Sequence, residues 1–148
     1  MSKIVVSVDV NAPIEQVFRV FTELDKAVER IPGIVKLEML TEGPVGEGTR
    51  WRETRVMMKK EAIETMWITG FHPPNSYTVE ANSHGMIYRT LFEFKEAGAA
   101  TRVTWNFVGT PQTFGTKLMD PILGLLFGGM MKRCLLEDLN ALKAVCEA

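Results

Sequence analysis

The chain has 148 residues, of which 46% are hydrophobic and 24% charged, a balance that excludes disordered and fibrous proteins. At this length we expect one domain, residues 1–148, that buries roughly 70% of its unfolded surface. With 17 basic and 18 acidic side chains the net charge is −1. Nucleic-acid binding is not expected, because the chain has no basic excess to neutralise phosphates.

Cysteine usage and the lack of targeting signals predict a reducing, cytoplasmic location. Cys134 and Cys146 fall in a predicted helix, about 18 Å apart at 1.5 Å per residue, which is too far for a disulfide. The amino terminus lacks the pattern of a signal peptide. The longest nearly uncharged apolar stretch, 118–131, has 14 residues and is too short to span a membrane.

The predicted elements begin with a strand in which apolar residues alternate from Ile4 to Val10. Asn11 is expected to cap the helix that follows, with Pro13 in its first turn. A second short helix is predicted from roughly Asp25 to Ile31. Period-two patterns then predict six strands, the first from Ile34 and the others at 49–58, 61–71, 77–83, 86–95 and 101–108. After Pro111 the pattern is helical to the end.

Turn lengths predict how neighbouring strands pair. The turns are expected at Lys59-Lys60, at His84-Gly85 and at 96–99. The resulting registers join opposite charges: Arg55 with Glu64, Glu80 with Arg89, and Glu93 with Arg102. Short turns between consecutive strands predict an antiparallel meander, and the segregation of strands and helices predicts an α+β fold.

The strand pattern predicts one polar and one apolar face. The polar face carries Arg52, Thr54, Thr65, Thr78, Glu80, Asn82, Arg89, Glu93, Arg102, Thr104 and Asn106. The apolar face carries Leu37, Met39, Trp51, Met57, Met66, Ile68, Tyr77, Val79, Tyr88, Phe92, Phe94, Val103, Trp105 and Phe107. The long helix is expected to lie across the apolar face, since this face is its only large apolar partner.

Several stretches resemble the START-like, helix-grip (SRPBCC) superfamily, which includes polyketide cyclase/dehydrase and lipid-transport proteins. They are the opening Val6 to Pro13 with Val17-Phe18, the turn Val45 to Thr49, Phe71 to Pro74, Gly98 to Thr104, and Asp138 to Lys143. The resemblance covers nearly the whole chain and its motifs mark fold positions. It implies a curved sheet of about seven strands around the C-terminal helix, with an apolar cavity between them.

Glu53, Arg55 and Glu64 point to the apolar face in the predicted register, although charged side chains there must be paired or functional. An ion pair at the open rim of the sheet is the preferred interpretation, and ligand contact or acid–base chemistry are the alternatives. Tyr77, Tyr88 and Thr90 also point inward as ligand contacts or core residues.

Other motifs of catalysis are weak or absent. His72 and His84 fall in predicted turns and are expected at the surface, outside the site. No spaced Cys/His set predicts a metal site, and no cofactor is expected. Gly43 to Gly48 is interpreted as a bulged turn and not as a phosphate loop, because it lacks the lysine and the following helix.

Segment 118–131 combines an apolar surface with Pro121 and three glycines that weaken its helix. We expect it to form a mobile side of the cavity that admits an apolar ligand. The alternative is a homodimer interface, or a grip on another partner, made by the same residues. From Lys132 on, the helix carries a predicted buried stripe of Leu135, Leu139, Leu142 and Cys146.

These patterns predict a protein that binds or transports a hydrophobic small molecule. The alternatives are a polyketide cyclase/aromatase or dehydratase, whose catalytic residues the sequence leaves unknown, and an apolar interaction module using 118–131. The predicted ligand-binding residues are Trp51, Glu53, Arg55, Glu64, Met66, Tyr77, Tyr88, Thr90, Trp105, Leu118, Ile122, Leu126 and Met130.

Overall fold

A curved antiparallel sheet of seven strands forms the body of the protein. The computed structural model describes the backbone of residues 2–57, 59–83, 86–111 and 114–148, with side chains except those at 2, 57, 83, 111–128 and 130. The strands are β1 Ser2–Val10, β2 Ile34–Met39, β3 Arg50–Met57, β4 Lys60–His72, β5 Ser76–Ser83, β6 Met86–Ala97 and β7 Ala100–Pro111. The helices are α1 Ile14–Thr22, α2 Ala27–Arg30 after a 3₁₀ turn at Leu24–Lys26, and α3 Phe114–Glu147. This α+β architecture confirms the predicted helix-grip fold.

The strand order is β1-β7-β6-β5-β4-β3-β2, so the first two strands lie at opposite edges of the sheet. The helices α1 and α2 bridge these edges, and α3 packs against β1 and α1. Two hydrogen bonds fasten the end of α3 to the end of β1: Lys143 Nζ donates to the Asp9 carbonyl, and the Asn11 amide donates to Glu147 Oε2, each at 2.7 Å. No helix in the described ranges carries an apolar stretch long enough to cross a membrane.

One of the three predicted registers is correct and two are wrong by two residues. The β5–β6 pairing places Glu80 opposite Arg89, as predicted. In the β3–β4 hairpin, however, Met57 pairs with Lys60, so Arg55 faces Ala62 and not Glu64. The turn closes one residue earlier than expected because Lys59 adopts a left-handed conformation, with φ of 65°.

The β6–β7 register is wrong by two residues in the opposite direction, because its turn is shorter than the four residues predicted. Ala97 pairs with Ala100 across a two-residue turn in which Gly98 has φ of 67°, so Glu93 faces Thr104 and not Arg102. Since side chains alternate with a period of two, a shift by two residues leaves every side chain on its predicted face. The division into polar and apolar faces is therefore unaffected.

The start of α1 differs from the prediction. Pro13 occupies the N-cap position, and no side chain caps the helix. Asn11 lies two residues before this position, and its backbone amide donates to Glu147 near the end of α3. Thr101 on β7 holds the loop between β1 and α1 in place, because its buried hydroxyl donates to the Ala12 carbonyl at 2.8 Å.

The core lies between the concave face and the helices. An aromatic cluster of Phe18, Phe21, Tyr77, Phe92 and Phe94 joins α1 to β5 and β6. Phe94 receives the edges of Phe18 and Phe21 at centroid distances of 5.2 and 5.3 Å, and Tyr77 stacks on Phe92 at 4.5 Å. The predicted stripe of Leu135, Leu139, Leu142 and Cys146 is buried, and both cysteines are free, which confirms these two predictions.

Candidate functional site

A cavity of about 530 Å³ lies between the concave face of the sheet, the α1–α2 region and α3. This volume falls within the range of roughly 300–1,000 Å³ that small-molecule sites occupy. The wall is predominantly apolar and aromatic. It takes side chains from α1, α2, α3 and strands β1 to β7.

The structure places nine of the predicted site residues in this wall: Trp51, Glu53, Arg55, Glu64, Met66, Tyr77, Tyr88, Thr90 and Trp105. They come together because inward-facing positions of β3 to β7 share one concave surface. The side chains of Leu118, Ile122, Leu126 and Met130 lie outside the described residues. The predicted gate at 118–131 therefore stays a prediction.

Sequence reasoning missed the helical contributions to the wall. Phe21 and Leu24 come from the α1–α2 region, and Met131, Leu135 and Asp138 come from the second half of α3. Their helical spacing predicts burial but does not distinguish core contact from cavity contact. Only the curvature of the sheet decides which buried side chains meet empty space.

A charged cluster of Glu53, Arg55 and Asp138 forms one side of the cavity. Arg55 Nη1 donates to Asp138 Oδ2 at 2.7 Å, and Arg55 Nε donates to Glu53 Oε2 at 3.4 Å. The indole Nε1 of Trp51 donates to the other oxygen of Glu53 at 3.3 Å. Glu53 is thus held between an indole and a guanidinium, and Arg55 links the sheet to α3.

This geometry corrects the predicted rim ion pair. Glu53 and Asp138 are both only 5% exposed, so the two carboxylates are buried, and only the Arg55 side chain, 21% exposed, reaches solvent. Arg55 pairs with Glu53 and Asp138 and does not face Glu64, because the β3–β4 register is shifted by two residues. Glu64 lies opposite Glu53 on the same face.

Asp138 is the functional candidate that sequence reasoning missed. Asp138 is absent from the predicted buried stripe, yet it is buried beside that stripe. The signal was present: Asp138 lies three residues after Leu135 and four before Leu142, the spacing of one helix face. A carboxylate at such a position requires a cationic partner, and the inward Arg55 is that partner.

Burial and the neighbouring charges shift the pKa values of Asp138 and Arg55 in opposite directions. Burial raises the pKa of Asp138, and the nearby Arg55 only partly offsets this effect. For Arg55, burial alone would lower the pKa, but the attraction of Asp138 and Glu53 outweighs burial and raises it. Arg55 therefore stays positively charged, while Asp138 holds its proton more tightly than an exposed aspartate.

The hydroxyl groups of the wall differ in their surroundings. Tyr77 is buried, and its hydroxyl donates to the Phe21 carbonyl at 3.5 Å, which makes it part of the core as well as of the wall. Tyr88 is half-buried and faces Gly109, where an added Cβ would lie 3.3 Å from the tyrosine ring. Burial and the charge of Glu64 raise the pKa of Tyr88, so its hydroxyl stays protonated.

Histidines, thiols and metal ligands give no alternative site in the described part of the chain. His72 is exposed at the end of β4, as predicted, and His84 lies outside the described residues. Burial raises the pKa of the Cys146 thiol to about 11 and also raises that of Cys134, so neither is a reactive thiolate. Among the described residues, no three His, Cys, Asp or Glu side chains are grouped to hold a metal.

Comparison with solved structures finds close folds at low sequence identity. Protein TTHA0849 from Thermus thermophilus has a TM-score of 0.79 and 19% identity, with 96% of this chain and 94% of that chain covered. The di-domain aromatase/cyclase StfQ of the steffimycin biosynthetic pathway has a TM-score of 0.81 and 13% identity, with 98% and 50% covered. Major latex-like protein 151 of Panax ginseng has a TM-score of 0.74 and 12% identity, with 99% and 98% covered. These likenesses support the fold alone.

The comparisons of sequence, unlike those of structure, identify a family. A search of curated proteins finds no significant match. The family model described as polyketide cyclase/dehydrase and lipid transport matches residues 1–147, nearly the whole chain, and so confirms the resemblance inferred from the sequence motifs. The chain belongs to the polyketide cyclase/dehydrase and lipid transport family.

Proposed function

We propose that this protein binds a hydrophobic small molecule in the cavity between the sheet and α3. The observation that supports this proposal is the cavity itself, which has a volume of about 530 Å³ and a largely apolar and aromatic wall. In liquid water this volume would hold about 18 molecules at roughly 30 Å³ each. Their release by an apolar ligand is favourable, at about 25 cal/mol for each Å² of apolar surface removed from water.

The proposed ligand contacts follow from the wall. Trp51, Trp105 and Met66 provide apolar surface from three different strands, and Tyr88 and Thr90 add hydroxyl groups on β6. A cytoplasmic location and a single domain spanning 1–148 are parts of the same proposal, with a homodimer through 118–131 as the alternative to a gate there.

A cavity-filling substitution tests the proposal. Ala81 on β5 lines the cavity and is buried, whereas its neighbour Asn82 is exposed on the opposite face. We expect the neutral fluorophore N-phenylnaphthylamine to bind the unmodified protein, and Ala81→Phe to weaken this binding at least tenfold. Asn82→Phe is the matched control and should bind normally. Equal binding by the two variants would place the ligand elsewhere, and the absence of binding to the unmodified protein would reject the proposal.

Catalysis on a polyketide-like substrate is the second candidate, and the buried charged cluster in the wall is the observation that favours it. Glu53 and Asp138 are positioned to exchange protons with a bound molecule, and Arg55 to bind an oxygen that gains negative charge. Incubation with a poly-β-ketone thioester, followed by mass spectrometry, tests this candidate. Loss of water from the substrate that depends on Glu53 would favour an enzyme, and an unchanged substrate would favour a binding protein.

A further inference from the structure

The charges in the cavity wall indicate which polar group the ligand carries. Among the described residues that line the cavity, five are acidic and two are basic: Glu23, Glu53, Glu64, Glu80 and Asp138 against Arg30 and Arg55. Two of the acidic groups are paired away from the charged cluster. Glu23 binds Arg30 at 3.0 Å, and Glu80 points to the polar face of the sheet, where its carboxylate lies 3.8 Å from Arg89.

Within the charged cluster, one cation serves two buried carboxylates. Arg55 binds both Glu53 and Asp138, which are each only 5% exposed. Asp138 uses Oδ2 for this contact, at 2.7 Å from Arg55 Nη1. When both carboxylates are ionised, these three side chains carry a net negative charge inside a low-dielectric wall.

A buried charge without full compensation is costly. Consistent with this cost, burial holds the pKa of Asp138 above its ordinary value even though Arg55 is in contact. A bound cation would remove the cost by supplying the second positive charge. A neutral or anionic ligand would leave the cost unchanged or increase it.

The aromatic residues of the wall favour the same ligand chemistry. Trp51 is connected to the charged cluster through its bond to Glu53, and Phe92 packs on Trp105 at a centroid distance of 4.6 Å farther along the wall. Aromatic faces attract cations and also pack against an apolar body. The wall thus provides both carboxylates for an ammonium group and aromatic surface for the rest of the molecule.

We propose that the ligand is an amphiphilic amine, with an apolar or aromatic body in the cavity and its ammonium group against Glu53 and Asp138. This inference rests on the proposed binding function and narrows it to a chemical class. The ammonium donates hydrogen bonds to the two carboxylates on the side that Arg55 does not occupy.

Three probes with the same naphthyl body and different polar ends test the inference: naphthylethylamine, naphthylethanol and naphthylacetate, titrated calorimetrically at neutral pH. We expect the amine to bind about ten- to a hundredfold more tightly than the alcohol, since hydrogen bonds to charged groups contribute this much. The carboxylate should bind more weakly than the alcohol, because it meets like charges.

Variants then assign the preference to the charged cluster. Glu53→Gln and Asp138→Asn should each lower amine affinity about tenfold while leaving alcohol affinity unchanged. Glu137→Gln, at an exposed position next to Asp138, is the matched control and should alter neither affinity. Thermal unfolding of each variant shows whether it folds. If a variant does not fold, the comparison of the three probes on the unmodified protein still tests the inference.

The outcomes separate this inference from the function on which it rests. Equal affinity for amine and alcohol would overturn the amine proposal and leave apolar binding intact. Tighter binding of the carboxylate would overturn it as well, because Arg55 would then dominate the site. If none of the probes binds, both proposals fail.

Discussion

The aromatic cluster and the charged cluster lie on the same concave face but are built in opposite ways. In the aromatic cluster, rings from α1, β5 and β6 fill the space between helix and sheet, and Phe94 is only 2% exposed. In the charged cluster, Arg55 reaches 2.7 Å from Asp138 across the space between β3 and α3, and the cavity lies beside this contact. One region is closed by packing and the other is held by a few directed bonds.

This difference teaches how one sheet supports both stability and a binding site. Dense ring packing gives stability without directional bonds, so it fixes α1 on the sheet. An ion pair can connect two elements without filling the volume next to it. The chain therefore keeps α3 in place at the charged cluster while leaving room for a ligand.

The largest effect should come from the aromatic cluster. Phe94→Ala removes a ring that contacts Phe18 and Phe21 on one side and Tyr77 on another. We expect the free energy of unfolding, measured in urea, to fall by about 4 kcal/mol. Ile63→Ala, at a position 63% exposed, is the control and should change it by less than about 0.5 kcal/mol. Similar losses for the two variants would show that the aromatic cluster is not the rigid region.

Removal of Arg55 from the charged cluster should lower the free energy of unfolding more than removal of Asp138. Arg55→Ala leaves two buried carboxylates without their cation, and we expect a loss of about 3 kcal/mol in the same assay. Asp138→Ala should cost less, about 2 kcal/mol, since Arg55 keeps Glu53 as a partner. A larger loss for Asp138→Ala than for Arg55→Ala would contradict the arrangement in which one cation serves two carboxylates.

The stability of the charged cluster should depend on pH in a defined direction. Because burial raises the pKa of Asp138, the folded protein binds this proton more tightly than the unfolded chain does. Stability relative to the non-titrating Asp138→Asn variant should therefore be greatest at acid pH. It should fall as pH rises from the ordinary aspartate pKa through the raised value. Urea unfolding of both proteins across this range checks the sign, and a difference that grows in the other direction would show that Arg55 outweighs burial.

The smallest effect should come from the hydroxyl group at the edge of the aromatic cluster. Tyr77→Phe removes a long hydrogen bond, 3.5 Å from the tyrosine hydroxyl to the Phe21 carbonyl, and leaves the ring stack on Phe92 intact. We expect a loss of less than about 1 kcal/mol in thermal or urea unfolding. A loss comparable to that of Phe94→Ala would mean that directed bonds, and not packing, hold this region.

Local sequence rules predicted the elements of the fold because periodicity and turn residues act over short distances. The β5–β6 register is correct, since Ser83 pairs with Met86 as the sequence predicts. The β3–β4 and β6–β7 registers failed at Lys59 and Gly98, where a left-handed backbone moves the first turn one residue earlier and shortens the second turn to two residues. Helix capping failed at Asn11 because α1 begins at Ile14 with Pro13 at the N-cap position, so Asn11 lies two residues too early to cap it.

The sequence predicted the residues that the strands contribute to the candidate site better than those that the helices contribute. Period-two alternation assigned Glu53, Arg55 and Tyr88 to the inner face, and the structure places all three in the cavity wall. Alternation cannot identify the partner of Arg55, since Asp138 follows it by 83 residues and belongs to another element. That partner depends on how α3 crosses the sheet.

The sequence by itself determined the order of strands and helices, the face of each strand and the family, because these depend on local patterns and short motifs. Only the tertiary structure decided that the inner charges form a buried cluster with Asp138 and that a cavity remains beside it. The physical reason is that burial and charge pairing depend on how far the sheet curves and where α3 lies upon it. Both result from many weak long-range contacts that no short stretch of sequence encodes.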